Sequence, residues 1–204
     1  QVDPSQRPRV LVGVTIDDSL QFLKGFPELL TNRGWDVHLV SGAGPRLESY
    51  AASNSVTTHA LEMAREPRPA ADVCALWRWI RLVKTTRPDV VYVGTPKAGL
   101  LGIVASRLLR VPGRVYILRG LRLETARGPR RAVLHALERL TISLSTEVIC
   151  VSESLKEVAV ALGLADDGRM RVLGRGSSNG VDTEKFHPVH DPAARVAALQ
   201  ELGF

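Results

Sequence analysis

Apolar residues return along this chain in two rhythms. Short runs of β-branched and aromatic residues, almost free of charge, alternate with longer stretches in which leucine, isoleucine and valine recur every three or four positions. The first rhythm belongs to strands covered on both faces, the second to helices with one packed side. Strands are predicted at Arg9–Ile16, Trp35–Ser41, Val56–Leu61 (a weaker one), Val90–Val93, Arg114–Leu118, Glu147–Val151 and Arg169–Leu173. Between them, Phe22, Leu23, Phe26, Leu29 and Leu30 mark a helix stopped by Gly34 and kinked at Pro27. Further helices are read at Arg46–Ser53, around Leu76, Ile80 and Val83, from Ala98 to Leu108, at Arg130–Leu144 and at Glu153–Leu162. Val133, Leu137, Leu140 and Leu144 form one side of the Arg130–Leu144 helix, expected to pack on the sheet. The strict alternation of strand and helix fits right-handed βαβ units. It predicts a Rossmann-like, doubly wound α/β domain with a mainly parallel sheet of about seven strands.

The stretch Asp89–Leu109 is the centre of this pattern. A buried strand, Val90–Val93, breaks at Gly94-Thr-Pro96, and a helix follows from Ala98. Lys97 therefore falls where the carboxyl end of a strand meets the amino end of a helix, the place where open α/β sheets bind ligands. Unsatisfied N–H groups at Ala98 and Gly99 and the positive end of the helix dipole suit an anion there, and a lysine adds a full charge. A capped helix with a solvent-exposed lysine is the other reading of the same residues.

Composition narrows the chemistry. Charged residues make up 24% and the hydrophobic class 45% of 204 residues, enough for an ordinary core in one large domain or two small ones. The formal net charge of +6 suits an acidic partner such as phosphate, anionic lipid or nucleic acid, and equally an arginine-rich protein with no such partner. Cys74 and Cys150 lie far apart, with neither metal spacing nor a disulfide framework, which points to a reducing compartment. No apolar run approaches the roughly 20 residues of a membrane span, and the first residues lack the apolar segment of a signal peptide. The start at Gln1 rather than Met suggests trimming at that end.

Several motifs also have blander readings. Gly42-Ala-Gly-Pro45 follows the second strand, not the first, and has Leu47 where a dinucleotide fingerprint needs its third glycine. The loop after the first strand, Asp17-Asp-Ser19, carries two carboxylates that would repel a pyrophosphate. The five histidines are scattered and form neither a triad nor a metal cluster. Arg119–Arg131 holds five arginines against the single carboxylate Glu124, on the same rim as Lys97; it suits a diphosphate or an anionic surface, or else is a solvated loop. Gly176-Ser-Ser-Asn-Gly-Val-Asp182 offers backbone N–H and short hydroxyl groups, with a tight turn at Asn179-Gly180.

Thr95-Pro-Lys-Ala-Gly-Leu-Leu-Gly102, Arg119-Gly-Leu-Arg-Leu-Glu124, Val148-Ile-Cys-Val-Ser152 and Gly176–Asp182 with Phe186 come in this order. Together they resemble the N-terminal half of bacterial family 4 glycosyltransferases of the GT-B fold, most nearly those of capsular and exopolysaccharide assembly that extend lipid-linked sugars. The likeness runs from Val10 to Pro188.

The resemblance implies two Rossmann-like domains facing a cleft. The N-terminal one binds the acceptor, and the C-terminal one binds the nucleotide-sugar, in a metal-independent transfer that retains anomeric configuration. It implies a tail at residues 1–8, an acceptor domain at 9–190 and, at 191–204, the lead into an absent donor domain, so that this piece alone is expected to be inactive. No cofactor is implied beyond the nucleotide-sugar co-substrate. The implied partners are that nucleotide-sugar, a lipid-linked or saccharide acceptor and an anionic membrane surface, and not nucleic acid. The implied location is cytoplasmic, on the inner face of the cell membrane. Substrate-binding candidates are Asp17, Asp18, Ser19, Thr95, Lys97, Ala98, Gly99, Arg119, Arg122, Ser177, Ser178 and Asn179. Many family members carry His-Gly after the fifth strand; here Arg119-Gly120 stands there, so no catalytic residue is assigned. A half of a GT-B nucleotide-sugar epimerase, and a non-catalytic module that binds anions or membrane surfaces, are the alternative readings.

Overall fold

Strand β1 (Arg9–Gly13) leads the chain into the sheet, in a computed structural model that describes residues 7–53, 55–64, 66, 68–177, 180 and 192–201. A 3-10 turn (Asp17–Leu23) follows, then α1 (Phe26–Asn32), β2 (Asp36–Ser41), α2 (Pro45–Ala52) and β3 (Thr57–Ala60). Next come α3 (Pro69–Thr86), β4 (Val90–Val93), α4 (Pro96–Leu108), β5 (Gly113–Leu118), α5 (Gly128–Leu144) and β6 (Glu147–Cys150). The chain closes with α6 (Glu153–Ala161), β7 (Arg171–Val172) and α7 (Pro192–Glu201). The strands form one seven-stranded sheet in the order β3-β2-β1-β4-β5-β6-β7, and every described pairing is parallel. This is the open, doubly wound sheet that the alternating pattern predicts. Its strand order reverses between β1 and β4, where Val10 pairs with Val37 on one side and with Val90 on the other.

The period of two along each strand divides the core. Val10 and Val12 face a cluster with Leu20, Leu23, Val37, Leu39 and Leu47, roofed by the 3-10 turn, α1 and α2. Leu11 faces the opposite cluster with Trp79, Val91, Val93, Ile103 and Tyr116, under α3 to α6. Trp79 is fully buried, and its indole N–H points at the Met63 sulfur at 3.3 Å. It fills the space over Gly13, where a Cβ would come within 2.7 Å of the ring.

Three local expectations change. Pro27 does not kink a helix: it occupies the first turn of α1, where its missing N–H costs nothing, and Gly25 at φ 78° separates α1 from the 3-10 turn. The helix bearing Lys97 starts at Pro96, so Lys97 lies inside its first turn. The packed side of α5 is not the Val133–Leu137–Leu140–Leu144 stripe, because Val133 and Leu140 are exposed while Glu138, Thr141 and Ile142 are buried. The Tyr116 hydroxyl donates to Glu138 Oε1 at 2.7 Å, and this buried bond sets the rotation of α5.

Candidate functional site

The carboxyl ends of β1 and β4 lie side by side at the reversal point, and the Gly94 N–H donates to the Gly13 carbonyl to extend their ladder. Just beyond, the Thr15 N–H donates to Thr95 Oγ1 (2.9 Å), and the two hydroxyls bond at 2.7 Å. The Ala98 N–H then donates to Thr15 Oγ1 (3.2 Å), and the Gly99 N–H to the Thr95 carbonyl (2.6 Å). The Ala98 and Gly99 amides, expected from the sequence to face an anion, are thus engaged within the protein. Thr15, just beyond β1, caps α4, satisfying one of the orphan donors of a helix start. No local pattern around Thr15 reveals this, since its partner lies 80 residues on.

Lys97 is not a solvent-exposed lysine. Its side chain is 11% exposed; Nζ lies 2.6 Å from Asp72 Oδ1 and donates to the Glu66 carbonyl at 2.9 Å. It therefore ties the first turn of α4 to α3 and to the loop before α3. Glu66 is the second hub: its carboxylate accepts from Arg122 (2.6 Å) and Arg130 (2.8 Å). The Arg122 bond is the main reason that its pKa lies below the ordinary glutamate value. Arg119 lies over the Phe22 ring at 5.3 Å, and burial pulls its pKa down against the favourable effect of Tyr92.

Three cavities adjoin here, and Pro96 and Arg122 line all of them. One, about 360 Å³, is polar, with Thr15, Ser19, Glu66, Thr95 and Lys97 in its wall. Another, about 440 Å³, lies along the β4 and β5 ends beside Phe22, Gly94, Arg119 and Gly120. The third, about 80 Å³, is an apolar slot between α4 and α5. Lys97, Arg119, Arg122 and Arg130 around this junction outweigh Glu66 and Asp72, so the rim carries excess positive charge.

The sequence candidates divide accordingly. Ser19, Thr95, Lys97, Arg119 and Arg122 come together at the junction. Asp17 and Asp18 instead line a separate cavity of about 660 Å³ with Arg46 and Tyr50. Asp17 accepts from the Arg46 and Leu47 N–H groups, capping α2, and Asp18 lies 3.8 Å from Arg46. Ser177 is exposed beyond Gly176 and lines none of the three adjoining cavities, while Ser178 and Asn179 fall outside the described residues. Glu66, Asp72 and Phe22 are site neighbours that the sequence left unmarked. Only their position before or within an element that starts at the rim could have suggested them.

The family described as glycosyl transferase 4-like domain matches residues 26–176. The chain is 38% identical over 173 residues to the Staphylococcus aureus capsular polysaccharide biosynthesis glycosyltransferase CapM, covering 85% of this chain and 45% of that protein. It is 29% identical over 162 residues to the Escherichia coli UDP-Gal:alpha-D-GlcNAc-diphosphoundecaprenol alpha-1,3-galactosyltransferase, covering 79% and 41%. The chain thus spans less than half the length of these relatives. Among solved structures, a Rickettsia africae glycosyltransferase superposes with a TM-score of 0.67 at 12% identity, covering 97% of this chain and 50% of that one. Anabaena Alr3699/HepE in complex with UDP and glucose gives 0.65 at 15% identity, with the same coverage. A UDP-N-acetylglucosamine 2-epimerase from Rickettsia bellii gives 0.60 at 13%, covering 82% and 44%. The shared fold is one half of a GT-B architecture.

Proposed function

The chain belongs to the glycosyl transferase 4-like family, and on that premise we propose that it is the acceptor-binding N-terminal domain of a retaining, nucleotide-sugar-dependent glycosyltransferase of cell-surface polysaccharide assembly. Its acceptor is a sugar carried on a polyprenyl diphosphate, the chemistry named for the E. coli relative. Residues 9–190 form the acceptor unit and 191–204 lead toward a donor domain that holds most of the nucleotide-sugar. The observation that carries this reading is the meeting of a polar, an arginine-lined and an apolar cavity at Pro96 and Arg122, on a cationic rim at the sheet's reversal point. A diphosphate needs the charge, a sugar needs the hydroxyl and carboxylate partners, and a lipid needs the apolar side.

In this reading Arg122 and Arg119 face the diphosphate or the sugar, and Lys97 acts chiefly as a strut that fixes the rim. Arg119 occupies the family's histidine position and meets negative charge there instead of acting as a neutral hydrogen-bonding group. Helices α3 and α5 carry exposed Val73, Trp77 and Val133, with Arg130 and Arg131 at the start of α5. That mixture suits the headgroup layer of an anionic membrane.

Calorimetric titration of the chain with a short-chain prenyl diphosphate-sugar and with a panel of free nucleotide-sugars tests the proposal. Saturable binding of the lipid-linked sugar, weakened at least tenfold in Arg122→Ala, is the expected result (about 1.4 kcal/mol per factor of ten). Preferential binding of a free nucleotide-sugar would move the protein toward an epimerase-type half and overturn the acceptor assignment.

A further inference from the structure

The apolar slot has no part in holding an anion, yet it opens beside the residues that do. Its wall is Leu100 and Leu101 of α4, Leu134, Leu137 and Thr141 of α5, and Leu123 of the loop between β5 and α5. Its mouth is formed by Pro96, Lys97 and Arg122, all three of which also line the polar cavity. A ligand that spanned both would need a strongly anionic head and, within one or two bonds of it, a short hydrocarbon group.

We propose that this slot is the subsite for the first isoprene unit of the acceptor, the unit bonded to the diphosphate, and that it discriminates lipid-linked from water-soluble diphosphate-sugars. The proposal rests on the acceptor reading above and adds to it the place where the lipid begins. Three features of the slot support it. Its volume of about 80 Å³ leaves room for a short hydrocarbon group at the open mouth and not for a folded chain. Five leucines line it, four of them on α4 and α5, so a hydrocarbon gains burial on entry. The charge lies at the mouth, where Lys97 and Arg122 pair with Asp72 and Glu66, so a diphosphate in the polar cavity would sit next to the opening of the slot.

Two carboxyls line the slot, Asp72, paired with Lys97 at its mouth, and Glu138. Glu138 is held by the Tyr116 hydroxyl at 2.7 Å, and burial raises its pKa to about 7. The groups facing it from neighbouring elements are Tyr116 on β5, Asp72 on α3, Lys97 on α4 and Arg122 in the loop before α5.

The test compares the affinities of dimethylallyl, butyl and methyl diphosphate for the chain, and repeats them with Leu137→Trp, which fills the slot, and Leu134→Asn, which makes its wall polar. Both leucines are only partly buried, and thermal melts verify that each variant folds. The expected result is that the dimethylallyl ester binds about tenfold more tightly than the methyl ester, and that both substitutions bring this ratio close to one. Equal affinity for the two esters in the unchanged protein would overturn the slot while leaving the acceptor reading intact. Equal affinity for the butyl and dimethylallyl esters would overturn the isoprenoid assignment. Failure of all three diphosphates to bind would overturn the anion site, and the slot proposal with it.

Discussion

Replacing Glu138 with glutamine should stabilise the domain at alkaline pH and do nothing at acid pH. Glu138 is 9% exposed, under α5, with only the Tyr116 hydroxyl bonded to it among the described partners. Burial raises its pKa from 4.5 to about 7, and the Tyr116 bond offsets only part of that rise. In the folded protein the carboxyl therefore keeps a proton that the unfolded chain releases. Folding is unpenalised below about pH 4.5, loses stability as pH rises through the window from 4.5 to about 7, and bears the whole penalty above it. Each pH unit in that window costs about 1.4 kcal/mol, so the full loss is about 3 kcal/mol. Glutamine keeps an acceptor for Tyr116 and cannot ionise. Urea denaturation of both proteins at pH 4.5, 6 and 8 supplies the comparison. Subtracting one stability curve from the other cancels every titrating group they share. The difference should be small at pH 4.5 and grow to about 3 kcal/mol in favour of Glu138→Gln at pH 8. Parallel curves would mean that Glu138 is solvated as an ordinary carboxylate and that the apolar character of the slot is wrong.

Four other outcomes follow from the geometry. Lys97→Ala should destabilise the fold by about 2 kcal/mol, between an exposed pair and a buried one, because it strands Asp72; Lys97→Ala within 0.5 kcal/mol of the parent protein, with diphosphate binding lost, would make Lys97 a ligand instead of a strut. Gly99→Ala places a Cβ 2.5 Å from the Tyr116 ring and should cost about 1–3 kcal/mol, read as a lower urea midpoint. His38 Nδ1 and His59 Nε2 share a bond at 2.9 Å, and burial lowers both pKa values, so the unfolded chain takes up protons first as pH falls through 6.5; stability should drop on acidification from pH 7.5 to 5.5, and less so in His59→Asn. Binding to vesicles with anionic headgroups should fall in Trp77→Ala and collapse as salt rises; salt-independent binding would remove the membrane face.

The fold was legible because it depends on a repeating signal. Buried parallel strands such as Val90–Val93 need no distant information to be recognised, and the helices between them follow from spacing. What failed was the phase of single elements. The α5 stripe misleads because Glu138 is turned inward by a tyrosine 22 residues earlier in the chain, which local spacing does not reveal. Pro27 misled because a kink and a helix start look alike until Gly25 is seen at φ 78°.

The candidate site shows the same division between local and distant information. Lys97 and Arg122 stand out as candidates because the end of a strand and a run of arginines are local features. Their partners, Asp72 and Glu66, belong to a segment whose prolines and mixed charge look like an ordinary loop. Those partners change what the cations do. A lysine fixed at 2.6 Å to an aspartate cannot move toward a phosphate without breaking that pair, so it shapes the rim more than it binds. An arginine shared with an exposed glutamate gives up much less when it turns to a ligand, because a surface pair contributes little in water. The two cations therefore differ in role although the sequence presents them alike: substitution at Lys97 should register first in stability, and substitution at Arg122 first in affinity.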